Sequence, residues 1–231
     1  MRIGHVHYTP AFVARHPRAL LLAALRRDSR FAHERLNGLR GVEIGAASSQ
    51  SYNLDTINVD RADTQVYRRA QERAVGWAAP VDVVAEGDRL PFEDDAFDFL
   101  LASHVVEHMP DPIRALREWA RVASRYLFLV VPHRDRTFDR DRPLTPLAEL
   151  VERHEQGFES TEDRHWSVWT CETFLELCRH VGLPVLEYQD PDDMGRNGFA
   201  VLMDASGGHA PPGPLRRRPP VPAWRRPIML G

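Results

Sequence analysis

The chain has 231 residues, 43% of them hydrophobic and 27% charged, and its 30 basic and 33 acidic side chains leave a formal charge of -3. Every basic side chain is an arginine, which excludes a Walker phosphate loop, Schiff-base chemistry, a pyridoxal anchor and a Tyr-x-x-x-Lys catalytic pair. The near balance of charge argues against nucleic acid as a partner. No apolar run reaches the length that crosses a bilayer, and the opening MRIGHVHYTP carries no signal-peptide core, so a cytoplasmic protein without a membrane partner is expected. Cys171 and Cys178 fall within one predicted helix and make neither a zinc knuckle nor a disulfide framework.

Pro17 to Arg30 sets alanines and leucines among arginines and predicts an amphipathic helix, with a short second helix over Phe31 to Gly38. These residues, 1–40, read as an N-terminal helical lid. From Gly41 the rhythm changes to short apolar runs: GVEIG, TINVD, PVDVVAE, FDFLLAS and YLFLVVP. Such near-continuous apolar strands are expected where both faces of a parallel sheet are covered. Helices are predicted between them over Arg61 to Trp77 and Pro112 to Ser124, the second with Ile113, Leu116, Ala120 and Ala123 on one face and Pro112 in its first turn. The alternation predicts a doubly wound α/β domain over 41–204.

After Pro132 the pattern gives way to a long polar insertion, 133–169, with one helix around Pro146 to His154. A loop of this length and polarity is expected to build a substrate wall. Thr170 then caps a helix to Val181, and VLEYQD and GFAVLMD can pair as an antiparallel hairpin at the sheet edge. The stretch 205–231, rich in proline and arginine, has almost nothing to bury and reads as a mobile tail.

In an open parallel sheet, ligands bind beyond the carboxyl ends of the strands. Those ends carry, in order, Glu43-Ile44-Gly45-Ala46-Ala47-Ser48-Ser49, then Asp60, then Glu86-Gly87-Asp88-Arg89-Leu90-Pro91-Phe92, then Ser103-His104-Val105-Val106-Glu107-His108, then Pro132-His133-Arg134-Asp135. Polar groups at nearly every strand end mark a binding protein or an enzyme. His104 and His108 lie four apart and could share a helix face, but as a metal pair they lack a third ligand nearby in sequence.

The block EGDRLPFEDDAFDFLLASHVVEHMPDP, with the strand and glycine before it, resembles the class I S-adenosylmethionine-dependent methyltransferases, in particular the small-molecule branch that includes the ubiquinone and menaquinone biosynthesis methyltransferases. The resemblance spans about Leu39 to Asp204. It implies a Rossmann-like, mostly parallel seven-stranded sheet and S-adenosylmethionine as cofactor. By that resemblance Gly45, Ala46 and Ala47 form the close-approach loop and Glu43 orients it toward the methionine ammonium. Asp60 takes the ribose diol, Asp88 the adenine amino group, and the backbone of Arg89 and Leu90 frames the ring. Ser103 and His104 lie under the sulfonium. The resemblance assigns no metal. Only the first glycine of the family's Gly-x-Gly-x-Gly loop is present; Ala47 and Ser49 replace the others, and the hydroxyls of Ser48 and Ser49 are expected to compensate by hydrogen-bonding the methionine carboxylate.

Methyl transfer needs alignment of acceptor and methyl and a base near neutrality for a protonated acceptor. His133 and His108 are the candidate catalytic groups, and Arg134, His165 and Trp166 are the candidate contacts to the acceptor. A salt bridge from His133 to Asp135 or Asp139 is the competing structural role. The expected partner is a small-molecule methyl acceptor, with room for a homodimer. No Asn/Asp-Pro-Pro-Tyr block and no Pro-Cys nucleophile is present, which argues against base methylation of DNA. Two alternatives stay open: a non-catalytic partner subunit that keeps the fold, and an S-adenosylmethionine-using enzyme that closes a ring.

Overall fold

A computed structural model describes residues 2–3, 6–7, 28–46, 52–61, 69, 72–73, 79–207 and 216–218. Most of the predicted helix over Pro17 to Arg30, most of that over Arg61 to Trp77, residues Ala47, Ser48 and Ser49, and most of the tail lie outside the described residues; Arg30, expected to end a helix, instead opens one capped by Ser29. Two short strands, β1 (Arg2–Ile3) and β2 (Val6–His7), pair antiparallel at the start. The main sheet contains β3 (Gly41–Ile44), β4 (Thr56–Asp60), β5 (Val83–Val84), β6 (Phe97–Ser103), β7 (Ala123–Pro132), β8 (Val185–Gln189), β9 (Gly198–Asp204) and β10 (Arg216–Arg218). Among the described residues four helices accompany it: α1 (Arg30–Leu36), α2 (Pro112–Val122), α3 (Leu147–Glu155) and α4 (Cys171–Val181). No helix among the described residues is long and apolar enough to cross a membrane.

The strands run in the order β10-β8-β9-β7-β6-β3-β4-β5. All neighbours are parallel except β9, which is antiparallel to both β7 and β8. The expected hairpin therefore forms, and β9 is inserted between β7 and β8. The seven expected strands are joined by an eighth from the tail, because Arg216–Arg218 pair in parallel with Glu187 to Gln189 on the β8 edge. Strand order reverses at β3, which has β6 on one side and β4 on the other. The crevice at this switch point is where an α/β sheet takes a ligand.

Side-chain alternation divides the core into two layers. Phe99 and Leu101 of β6, Phe128 and Val130 of β7 and Ala200 and Leu202 of β9 meet Phe31, Ala32 and Leu36 of α1 on one face. Leu100, Leu127, Leu129, Phe199 and Val201 meet α2, α3 and α4 on the other, through Ile113, Leu116, Trp119, Leu150, Phe174 and Leu177. The described part of residues 1–40 thus includes α1, whose apolar side chains belong to the core. Its Ser29 cap and the Phe31 amide both bond the Asp193 carboxylate, tying α1 to the loop before β9.

The local reasons for the helices are visible in their ends. Asp111 accepts from the Arg114 amide and Pro112 opens the first turn of α2. Thr170 and Thr173 form a capping box on α4, and Gly182 closes it at φ 83°. Cys171 and Cys178 are buried on the core side of α4 and are not joined by a disulfide.

Candidate active site

The site begins where β3 ends. Gly45 has φ +68°, and a Cβ there would lie 2.6 Å from Cγ2 of Val105. The chain is thus kept bare at the point where β3 ends against Val105. Its amide donates to the Val59 carbonyl at 2.9 Å, which fixes the end of β3 against β4. Glu43, buried in β3, accepts from the Thr56 hydroxyl at 3.2 Å. Asp60 closes β4 with its carboxylate capping the Arg61 amide at 2.8 Å. Ala46 follows Gly45 without regular structure.

The next wall is the segment from Glu86 to Phe92, which α2 holds from behind. Trp119 Nε1 donates to the Gly87 carbonyl at 2.7 Å, and the Leu90 amide donates to Glu118 at 2.8 Å. Arg121 donates to the Phe92 carbonyl at 2.8 Å. Asp88 accepts from Arg114 Nε at 2.9 Å, and Arg89 pairs with Glu159 of the insertion. The Arg121 guanidinium, aided by the Leu90 amide, holds the Glu118 carboxyl below the usual carboxylate range although burial opposes it.

At the end of β6, Ser103 accepts from the Tyr52 hydroxyl at 3.2 Å. His104 turns sharply out of the strand with φ 56°, a conformation that disfavours any side chain and that collects at functional sites. A 3-10 turn, Val106–His108, follows. Val105, whose side chain abuts Gly45, joins this turn to the glycine loop.

The insertion folds back onto that turn. The amides of Trp166 and Ser167 donate to the Glu107 backbone carbonyl at 2.7 and 3.3 Å. This backbone clamp sets His165 beside His108, their rings perpendicular with centroids 4.7 Å apart. His165 Nδ1 bonds Asp139 Oδ2 at 2.5 Å, and Asp139, 2% exposed, is held by Arg142 at 2.6 Å. Phe138, 78% exposed, stacks obliquely on His165 at 4.6 Å. Trp166 lies between Phe158 and the Arg164 guanidinium.

Glu107 is central to this arrangement and was not singled out by the sequence. It is 0% exposed, and among the described residues neither carboxylate oxygen has a hydrogen-bond partner. Its Oε1 lies 3.7 Å from His104 Nδ1, 4.0 Å from His108 Nε2 and 4.0 Å from His165 Nε2. Burial pushes the Glu107 carboxyl up to about 8, and burial likewise lowers His104 and His108 below the ordinary imidazole value. The signal available in sequence was the run His104-x-x-Glu107-His108; its partner His165 is distant in the chain.

His133 stands outside that group. Its Nδ1 accepts the Asp135 amide at 3.2 Å and so caps the 3-10 turn Arg134–Arg136. In the neutral ring this leaves the proton on Nε2, so His133 offers a donor there. Burial and the Arg136 guanidinium lower its affinity for a second proton. Arg134 pairs with Asp135 at 2.8 Å, and the expected salt bridge at this turn is thus made by Arg134.

A family model described as a methyltransferase domain matches residues 41–128, from β3 into β7. An uncharacterised protein of Methanocaldococcus jannaschii is 32% identical over 89 residues, 37% of this chain and 40% of that protein. The chain therefore matches well under two thirds of that relative's length. An S-adenosylmethionine-dependent methyltransferase from Methanosarcina mazei superposes with a TM-score of 0.51 at 18% identity, covering 77% of this chain and 98% of that one. A methyltransferase solved in complex with the Haloferax volcanii Trm112 methyltransferase activator superposes with a TM-score of 0.50 at 18% identity, covering 84% and 96%. The segment 41–128 thus matches a methyltransferase domain, and the sheet order with a bare glycine at its switch point is the fold of the methyltransferases it superposes on.

Proposed function

We propose that this protein transfers the methyl group of S-adenosylmethionine to an oxygen or nitrogen of a small polar metabolite, a sugar or a secondary-metabolite intermediate. The observation that carries the reading is the succession of Gly45, Asp60 and the clamped segment at Asp88 along three adjacent strand ends, with an imidazole-rich wall beside them. The donor set suits the cofactor. The bare backbone at Gly45 admits the methionine end, the Asp60 carboxylate suits the ribose diol, and Asp88 with the backbone of Arg89 and Leu90 suits the adenine edge. S-adenosylmethionine supplies a sulfonium methyl with a good leaving group, so the chain's task is alignment and proton removal.

On the acceptor side, His133 orients the acceptor through its Nε2–H, and His104, Glu107, His108 and His165 lower the cost of removing its proton. Phe138, Trp166 and the arginines of the insertion form the acceptor's wall. Calorimetric titration with S-adenosylmethionine tests the cofactor half: the Asp60→Ala, Asp88→Ala double variant is expected to lose binding, and equal affinity in variant and parent would sink the reading. Incubation with candidate acceptors and mass analysis of the product tests the transfer. A gain of one methyl in exchange for hydrogen supports it, and a rearranged product of unchanged mass refutes it.

A further inference from the structure

We propose that Glu107, His108 and His165, assisted by His104, form a binding site for one divalent first-row transition-metal ion such as zinc. Glu107, His108 and His165 are the one group of ligand-type side chains among the described residues whose donor atoms all lie within 4.8 Å of one another. Metal bonds to imidazole nitrogen and carboxylate oxygen run about 2.0–2.2 Å, so ligands of one ion lie roughly 3–4 Å apart. The separations of 3.7, 4.0 and 4.0 Å between Glu107 Oε1 and the three imidazole nitrogens fall at the upper edge of that range. A small inward rotation of the rings closes them around an ion.

Two further features point to a cation. The Glu107 carboxyl is wholly buried and among the described residues neither oxygen has a hydrogen-bond partner, an arrangement in which its charged form needs a positive charge beside it. The His165 ring beside it is also oriented as a metal ligand is. His165 Nδ1 bonds the buried Asp139 at 2.5 Å, which directs its Nε2 toward Glu107, while His108 turns its Nε2 to Glu107 at 4.0 Å with Asp163 2.9 Å from its other nitrogen. A carboxylate behind a histidine fixes the tautomer and raises the basicity of the ligating nitrogen. Two imidazoles and one carboxylate, with a third imidazole beside the carboxylate, suit zinc, iron or nickel rather than magnesium or calcium.

The site borders the glycine loop through Val105, and His104 and His108 stay about one-third exposed. An open coordination position there takes an oxygen or nitrogen of the methyl acceptor, which makes the acceptor a metal-coordinating molecule. That last step rests on the methyl-transfer reading; the binding of metal does not.

The test is zinc titration of chelator-treated, full-length protein by calorimetry, with the visible d–d spectrum of the cobalt-substituted protein as a second readout. One ion per chain is expected. Asp139→Ala should weaken zinc by roughly 10–100-fold, the usual effect of removing the group behind a ligand, and His165→Ala by more. Glu107→Gln, which preserves shape, should change the cobalt spectrum while circular dichroism stays native. His180→Ala, an exposed helix histidine, should change nothing. No stoichiometric binding, or equal affinity in parent and His165→Ala, overturns the site. S-adenosylmethionine titration of the same samples reports separately on methyl transfer: zinc bound without cofactor sustains the metal site alone, and cofactor bound without zinc refutes it alone.

Discussion

Gly45 shows how one residue joins fold to site. Its φ of +68° and the 2.6 Å approach of a would-be Cβ to Val105 are separate penalties, and a second glycine separates them experimentally. Gly157 has φ +61° with nothing within 4 Å of the place a Cβ would take, so Gly157→Ala carries the backbone penalty alone. That penalty is about 1–2 kcal/mol. Gly45→Ala adds displacement of Val105, and with it the turn that bears His104, Glu107 and His108. Urea denaturation should therefore show a larger loss for Gly45→Ala than for Gly157→Ala, and only Gly45→Ala should weaken S-adenosylmethionine. Equal losses in stability would mean that the Val105 contact is immaterial. Glycine at this position was legible from the strand-end pattern, but its neighbour Val105 was not, because that contact depends on β6 lying next to β3.

At the scale of elements, α2 acts as the back support of the adenine-side loop. Trp119, Glu118 and Arg121 hold the loop by its backbone groups, at Gly87, Leu90 and Phe92. Glu118→Ala removes the acceptor of the Leu90 amide and the partner of Arg121, so S-adenosylmethionine affinity should fall about tenfold, the size of one charge-assisted hydrogen bond. The sign of the pH dependence follows from the depressed Glu118 carboxyl. A carboxylate held below its unfolded value contributes stability above the ordinary carboxylate range and loses it as pH falls through that range. The variant should therefore lose less stability than the parent on acidification, measured by thermal melts across that interval; parallel acid limbs would contradict the clamp. The helix itself was readable from Asp111, Pro112 and the apolar spacing, and α4 from Thr170. PVDVVAE was longer in expectation than the observed Val83–Val84, since β5 pairs with β4 alone at the sheet edge. The 133–169 insertion has no period to read: His165 reaches Glu107 through a backbone bond from Trp166, and no side-chain pattern announces such a bond.

For the whole molecule, the two core layers share the same strands, and this makes them one cooperative unit. Phe128 is wholly buried under α1, edge-on to Phe31 at 5.1 Å and to Tyr52 at 6.0 Å. Leu127 and Leu129, its neighbours on β7, point to the layer of α2 and α4, where Trp119 and Trp169 are buried. Phe128→Ala should cost about 3–5 kcal/mol, the usual loss for a buried aromatic ring. Because β7 belongs to both layers, the damage cannot be confined to the face on which it is made. Tryptophan fluorescence, which includes the reporters of the opposite layer, should therefore shift its denaturation midpoint together with far-ultraviolet circular dichroism. A fluorescence transition that stayed at the parental midpoint while the dichroism moved would show that the layers unfold separately. The site makes the shared response consequential, since the ends of β3, β4 and β6 hold their mutual positions only while both layers clamp the sheet.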